Sequence, residues 1–287
     1  MPPRSLRRSR PAAGPAQREK KESSSSLLLF VLAVAILAWV FRSFVAAPFN
    51  IPSGSMLPTL YIGDYLVVSK WPYGFSRYSF PFGVPEFKGR IFASLPQRGD
   101  VVVFRHPSEN SDLIKRVIGI PGDTVEVRDG RLILNGRPVQ RDPLPPTAVA
   151  LSANSPCRAV PPATPAVVTL SGNRPVCVYR AFLERLPGGP SYTVLDQVDH
   201  GAADNFPETT VPADHIFLMG DNRDDSLDSR FGSYEDGIGM VPTENLIGRA
   251  SFTFWSTDGS VTYVKPWTWF TGLRGSRIGN GYTGRAE

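Results

Sequence analysis

The sequence predicts a mainly β protein, chiefly antiparallel, preceded by one membrane-spanning helix. Three observations carry this. Gly and Pro number 26 and 28 in 287 residues, a density of turn formers that suits many short strands. Alternating or β-branched runs recur between residues 64 and 264, with no long 3.6-residue apolar period among them. A single unbroken apolar run, Leu27 to Phe41, stands near the N-terminus.

Residues 1–22 form a basic arm with Arg4, Arg7, Arg8, Arg10, Arg18, Lys20 and Lys21. Much of the net charge of +5 sits there, so no basic face is spread over a fold and nucleic acid is not an expected partner. Residues 23–44 are the anchor. A bilayer core needs ~20 helical residues, and the run reaches that with its flanking serines or Phe44 to Ala47, Arg42 snorkelling to the headgroups. A buried soluble helix is the alternative, weakened by the lack of polar periodicity. The basic arm before the run predicts a cytoplasmic N-terminus and a globular part on the outer face. Val45-Ala46-Ala47 resembles a cleavage site, but Pro48 follows, so the anchor is expected to stay attached.

Strands are expected in "DYLVVS" (64–69), "DVVVFR" (100–105), "LIKRVIGI" (113–120), "DTVEVRDGRLILNG" (123–136), "HIFLMG" (215–220), "GRASFTFW" (248–255) and "SVTYV" (260–264). Asp129-Gly130 and Asn135-Gly136 are hairpin-turn dipeptides. Residues 72–98 should form an extended ribbon or a mobile loop, and the Ala/Pro/Ser-rich residues 142–175 a poorly packed insertion. Residues 265–287 are a tail mixing Trp267, Trp269 and Phe270 with Lys265, Arg274 and Arg277. It suits either the headgroup layer or core packing of the tryptophans with a frayed basic end. Cys157 and Cys177, outside the cytosol, are expected to pair; inside, they would be two thiols. Three scattered histidines and no C-x-x-C pair leave no zinc site, and no metal or cofactor is expected.

Three segments carry chemistry. "IPSGSMLPTL" (51–60) offers Ser53 and Ser55. In "LIKRVIGI", alternation puts Lys115 on one face with Leu113 and Val117, where burial would favour the neutral amine. Arg116 cannot act as a base, because guanidinium stays protonated. A serine nucleophile needs a base, and His106, in the turn-like "FRHPSEN", is expected at the surface. In "GDNRDDSLDSR" (220–230), Asp224, Ser226, Asp228 and Glu235 have calcium-loop spacing, but Ser229 stands where that loop needs glycine. Asp221, Arg223, Asp228 and Arg230 instead look like a set of ion pairs holding Ser226.

Together these segments resemble the boxes of type I signal peptidases, the membrane-anchored Ser–Lys proteases that remove signal peptides. The likeness runs from the anchor to about Trp255. It implies a coiled antiparallel β-sheet catalytic core (residues 45–123 and 213–264) with an inserted, variable second β domain (124–212). Ser55 would be the nucleophile and Lys115 the general base. Ser53 would contribute to the oxyanion hole, Ser226 would orient the lysine, and Asp228 would support it. Gly220, Asp221, Asn222, Arg223 and Arg230 complete the matching box, while Asp225 receives no role. Ile51, Met56, Leu113 and Ile114 are expected to line shallow pockets for small substrate residues. The implied partners are signal peptides of exported preproteins and the lipid bilayer, at a bacterial cytoplasmic (inner) membrane. A repressor-type self-cleaving Ser–Lys protease and a membrane-tethered binding or scaffold protein are the alternatives.

Overall fold

The computed structural model describes residues 24–158, 166–170, 174–232, 237–262 and 264–282; the basic arm and Glu235 lie outside them. The chain divides into two units, Met1–Ala38 and Trp39–Glu287. The first contributes helix α1 (Ser24–Val40), apolar on every side, with Leu27, Leu28, Leu29 and Phe30 all exposed. With the π-turn Phe41–Val45 that follows, the stretch Ser26–Val45 is 20 residues long and apolar enough to cross a bilayer.

The second unit is β-rich. Its strands are β1 (Ala46–Asn50), β2 (Asp64–Ser69), β3 (Val101–Arg105), β4 (Asp112–Gly119), β5 (Thr124–Arg128), β6 (Arg131–Leu134), β7 (Arg137–Pro138) and β8 (Gln140–Ala150). Next come β9 (Ala166–Leu170), β10 (Arg174–Arg185), β11 (Ser191–Leu195), β12 (Phe206–Thr210), β13 (His215–Met219), β14 (Val241–Pro242) and β15 (Leu246–Ser256). Seven strands make the principal sheet, in the order β1-β2-β15-β3-β4-β13-β14. All its pairs are antiparallel, and register shifts along β15 and β13 curl it.

Both faces of this sheet are covered. Leu66, Val68, Val103 and Ile114 enter one core, and Val102, Phe104, Val117 and Leu218 another. Between β4 and β13 the chain builds two further sheets, β12-β5-β6-β7 and β11-β10-β8 with β9 on β10. The first shares a core with the principal sheet through Ile118, Val125, Leu134 and Phe217. The hairpin dipeptides sit where expected. Asp129-Gly130 and Asn135-Gly136 all adopt positive φ and connect β5 to β6 and β6 to β7.

Composition misled at three places. Residues 72–98 are neither ribbon nor loose loop. They fold through short 3-10 turns and an aromatic cluster of Phe44, Phe75 and Phe80, and Arg90 donates to the carbonyls of Tyr73, Gly74 and Leu246. Residues 142–150 belong to the long strand β8, paired along β10. Its Pro145 and Pro146, which have no N–H to donate, fall at a register shift opposite Arg180. In the tail, Arg277 makes a bidentate ion pair with the buried Asp64, and Arg274 donates to the carbonyls of Ile62 and Thr257. Those two arginines therefore bind the fold, while Trp267 and Phe270 remain exposed rather than packing in a core.

Candidate active site

The loop that carries Ser53 and Ser55 leaves β1 through Ile51 and turns back toward β2. Leu57 N–H bonds Gly54 O, and Leu60 N–H bonds Met56 O, so the turn is tight and its apolar side chains point inward. That places Ser55 beside β4. Lys115 Nζ donates to Ser55 Oγ at 2.7 Å. Lys115 is 4 % exposed, and burial pushes its amine down to about 8 against the opposing pull of Asp228 and Asp225. The alternation expected from sequence holds: Val117, with Leu113 packed against it, faces the core on the lysine side, and Ile114 and Ile118 face the other way. Ser53 Oγ lies 3.4 Å from Ser55 Oγ. The Ser55 N–H has no acceptor among the described residues.

The late loop reaches the same place. Gly220 passes so close that a Cβ there would fall 2.3 Å from Ser226 Oγ and 2.5 Å from Ser55 O, so no larger residue fits. Ser226 Oγ donates to Asp228 Oδ2 at 2.8 Å, and Gly220 N–H donates to the same oxygen. Arg230 donates to both Asp228 oxygens at 2.9 Å. Burial works to raise the Asp228 carboxyl, but Arg230 and Gly220 outweigh it and hold the group below its usual range. Among the described residues Lys115 Nζ has one hydrogen-bond partner, Ser55, so Ser226 faces Asp228 rather than bonding the amine.

The ion pairs differ from a closed set within the loop. Asp228 and Arg230 do pair. Asp221 instead binds Arg116 of β4 in a buried bidentate pair, 2.7 and 2.6 Å, and accepts from Thr59 at 2.5 Å. Arg223 pairs with Glu184 of β10, with one contact at 2.6 Å. These last two pairs tie the loop to different strands, which a local reading of the loop cannot see. Arg116 was missed for a related reason: alternation sends it to the face opposite Lys115, and that face is covered too.

Two further residues border Ser55. His106 is buried, not at the surface, and its Nδ1 accepts from the N–H groups of Ser108 and Glu109. It lines a cavity of about 450 Å³ with Ser53, Ser55, Leu113, Lys115 and Leu227. Arg158 follows Cys157, which is disulfide-bonded to Cys177, the pairing expected if this part of the chain lies outside the cytosol. The Arg158 side chain lies over Gly54 and pairs with Asp225, one contact at 2.8 Å. Asn222 donates to Gly54 O with its side chain and to Ser55 O with its backbone, so the loop is held from both sides.

Of the residues expected to line substrate pockets, Ile51, Leu113 and Ile114 border a second cavity of about 40 Å³, together with Phe49 and Ser53. Met56 does not; it is fully buried among Ile51, Leu60 and Leu66. The pairing around this cavity is incomplete. On the β13 side, β4 is paired from Gly119 back only to Arg116, leaving Asp112 to Lys115 with an open edge. β1 ends the sheet, so its outer side is open as well. The calcium geometry cannot be assembled here, since Asp228 is committed to Ser226 and Arg230.

Residues 24–255 match the family model described as signal peptidase, peptidase S26. The chain is 34% identical over 269 residues to a protein named signal peptidase I from Rickettsia typhi, covering 87% of this chain and 89% of that one. It is 35% identical over 262 residues to its namesake from Rickettsia massiliae, covering 83% and 85%. Among solved structures, a signal peptidase I from Enterococcus faecalis V583 aligns with 24% identity and a TM-score of 0.28, covering 55% of this chain and 98% of that one. The chain belongs to the S26 signal peptidase family of serine peptidases.

Proposed function

We propose that the chain is a membrane-anchored endopeptidase that removes signal peptides from exported preproteins by acyl transfer through a Ser55–Lys115 dyad. The observation that carries this reading is the 2.7 Å contact between Lys115 Nζ and Ser55 Oγ, in surroundings that favour a neutral amine. At that distance the amine takes the hydroxyl proton as Oγ attacks the scissile carbonyl. The developing oxyanion is met by the Ser55 N–H and the Ser53 hydroxyl. The buried Asp228 carboxylate stabilises the transient ammonium, and Ser226 and Arg230 fix that carboxylate. Asp221 and Arg223 anchor the loop to β4 and β10. The ammonium then protonates the leaving amine as the C–N bond breaks. A water, losing its proton to the same lysine, releases the signal peptide and restores Ser55.

The substrate enters as a strand. The open edge of Asp112 to Lys115 and the free side of β1 with the residues after it flank the gap that the peptide would fill by β-augmentation. The cavity of about 40 Å³ between them holds a methyl group and excludes a large side chain, which favours small residues before the cut. With the anchor spanning the inner membrane and its basic arm inside, Ser55, thirteen residues past Arg42, works at the outer face.

The test is cleavage of a purified preprotein by the wild type, Ser55→Ala and Lys115→Ala. Both variants are expected to fold and to release no mature protein. Substantial turnover by Lys115→Ala would overturn the dyad and point to His106, which lines the same cavity.

A further inference from the structure

A second buried lysine lies outside the catalytic cavity. Lys70 follows β2 and is 4 % exposed, and its amine has neither a hydrogen bond nor an ion pair among the described residues. The ring of Phe49 lies 5.9 Å from it. The side chain borders a cavity of about 120 Å³ whose walls also include Arg42, Arg105, Asp112, Phe49 and Tyr78. Three cations thus converge on one small space with one carboxylate. That carboxylate is already engaged by Arg105 at 2.9 Å. Burial pushes the Lys70 amine down to about 8, with Asp112 opposing and Arg42 adding to the fall. Like charges gathered in a partly dry cavity are costly unless an anion joins them.

The chemistry of that anion follows from the donors. Two guanidinium groups and an ammonium offer hydrogen bonds from several directions, which a tetrahedral phosphate uses better than a planar carboxylate does. The cavity of about 120 Å³ has room for such a group. Its position decides the source. Arg42 lies within the apolar stretch Ser26–Val45, near the end where that stretch would meet lipid phosphates. Trp71, next to Lys70, is 63% exposed, as an interfacial aromatic would be.

We propose that the cavity formed by Arg42, Lys70 and Arg105 binds a phosphate group, that of an anionic phospholipid headgroup. The site shares Phe49 and Asp112 with the walls of the small cavity beside Lys115, so an occupied headgroup site would brace the β1 and β4 segments that flank it.

The experiment uses the full chain in nonionic detergent with equal phosphatidylglycerol and phosphatidylcholine, followed by native mass spectrometry. The wild type is expected to retain one phosphatidylglycerol in preference to phosphatidylcholine, and Lys70→Met to retain it about tenfold more weakly. Should Lys70→Met fail to fold, Arg42→Gln, at an exposed position, is expected to weaken retention in the same direction. Equal retention by the wild type and the folded variants would overturn the site. If inorganic phosphate alone, without lipid, raises the unfolding midpoint of the wild type as much as phosphatidylglycerol does, the ligand is free phosphate and the lipid assignment falls. Displacement of the lipid by a peptide with an acidic residue ahead of its cleavage site would overturn it in favour of substrate binding.

Discussion

Lys115 and Lys70 are a controlled pair within one molecule. Each is 4 % exposed, and burial brings each amine down to about 8. Their surroundings separate them. Lys115 faces a serine hydroxyl at 2.7 Å, and the charges that act on it most strongly are the carboxylates of Asp228 and Asp225. Lys70 faces an aromatic ring, and two arginines share its cavity. Burial therefore makes an amine available in both places; under the two proposals it serves as a base where a serine hydroxyl stands within reach, and as part of an anion receptor where cations gather.

The largest effect that can break this comparison comes from Lys115→Arg. It keeps length and positive charge, and guanidinium does not deprotonate. Cleavage is expected to fall about a thousandfold or more, since general-base catalysis and the dyad's joint action are both lost. An arginine variant that cleaves at a near-normal rate would mean the residue acts as a charge. The wild-type pH profile sharpens the point. Cleavage should fall with the neutral fraction below about 8 and level off above it, as the Lys115 amine loses its proton. The linked effect on stability has a definite sign. Between about 8 and the ordinary 10.5 the unfolded chain holds more protons at both lysines, so their contribution makes stability rise with pH across that window. Both lysines contribute to the stability profile; the cleavage step titrates with Lys115.

That contrast also marks what the sequence reveals. Ser55, Lys115 and the late loop are legible because the chemistry lies in short runs, and strand alternation correctly sets Lys115 beside Leu113 and Val117. Lys70 escapes notice because the apolar alternation of "DYLVVS" ends one residue before it. Arg116 and Glu184 escape because their partners, Asp221 and Arg223, lie far away in the chain and meet them only after the sheets have packed. His106 looks like a turn residue in sequence. It becomes a cavity wall because the turn that joins β3 to β4 folds its ring inward against the N–H groups of Ser108 and Glu109. β8 is hidden by its prolines, which are tolerated at a register shift.

A smaller effect tests whether the Lys115 region depends on that long-range frame. Asp221→Ala strips Arg116 of both carboxylate oxygens and leaves a buried guanidinium whose remaining contacts include Gly99 O. Breaking one side of a buried pair costs about 3–5 kcal/mol. Chemical denaturation is expected to show a loss of that order. A change under ~1 kcal/mol, the range of an exposed pair, would mean that water replaces the carboxylate and that the pair does not hold the loop on β4.

The smallest effect concerns Pro48, on the strand that links the two regions. β1 carries Phe49 into the Lys70 cavity and continues through Ile51 to Ser55. Just before Pro48, Val45-Ala46-Ala47 has the small-residue pattern of a cleavage site, and in the sequence it is the proline that marks the anchor as staying attached. The fold supplies a different guard. Ala46, Ala47 and Pro48 pair with Ser69, Val68 and Val67, and the Ala47 side chain is buried. A protease needs an extended strand free to enter its groove, so cutting here would require β1 to leave the sheet with its side chains exposed. Pro48, on an edge strand where a missing N–H is tolerated, adds little to that barrier. Pro48→Ala in a membrane preparation is therefore expected to stay intact, anchored and active, with the barrier set by the pairing of β1. A soluble fragment beginning at residue 48, absent when Ser55 is also replaced, would show that the proline itself protects the anchor and that β1 opens far more readily than its pairing implies.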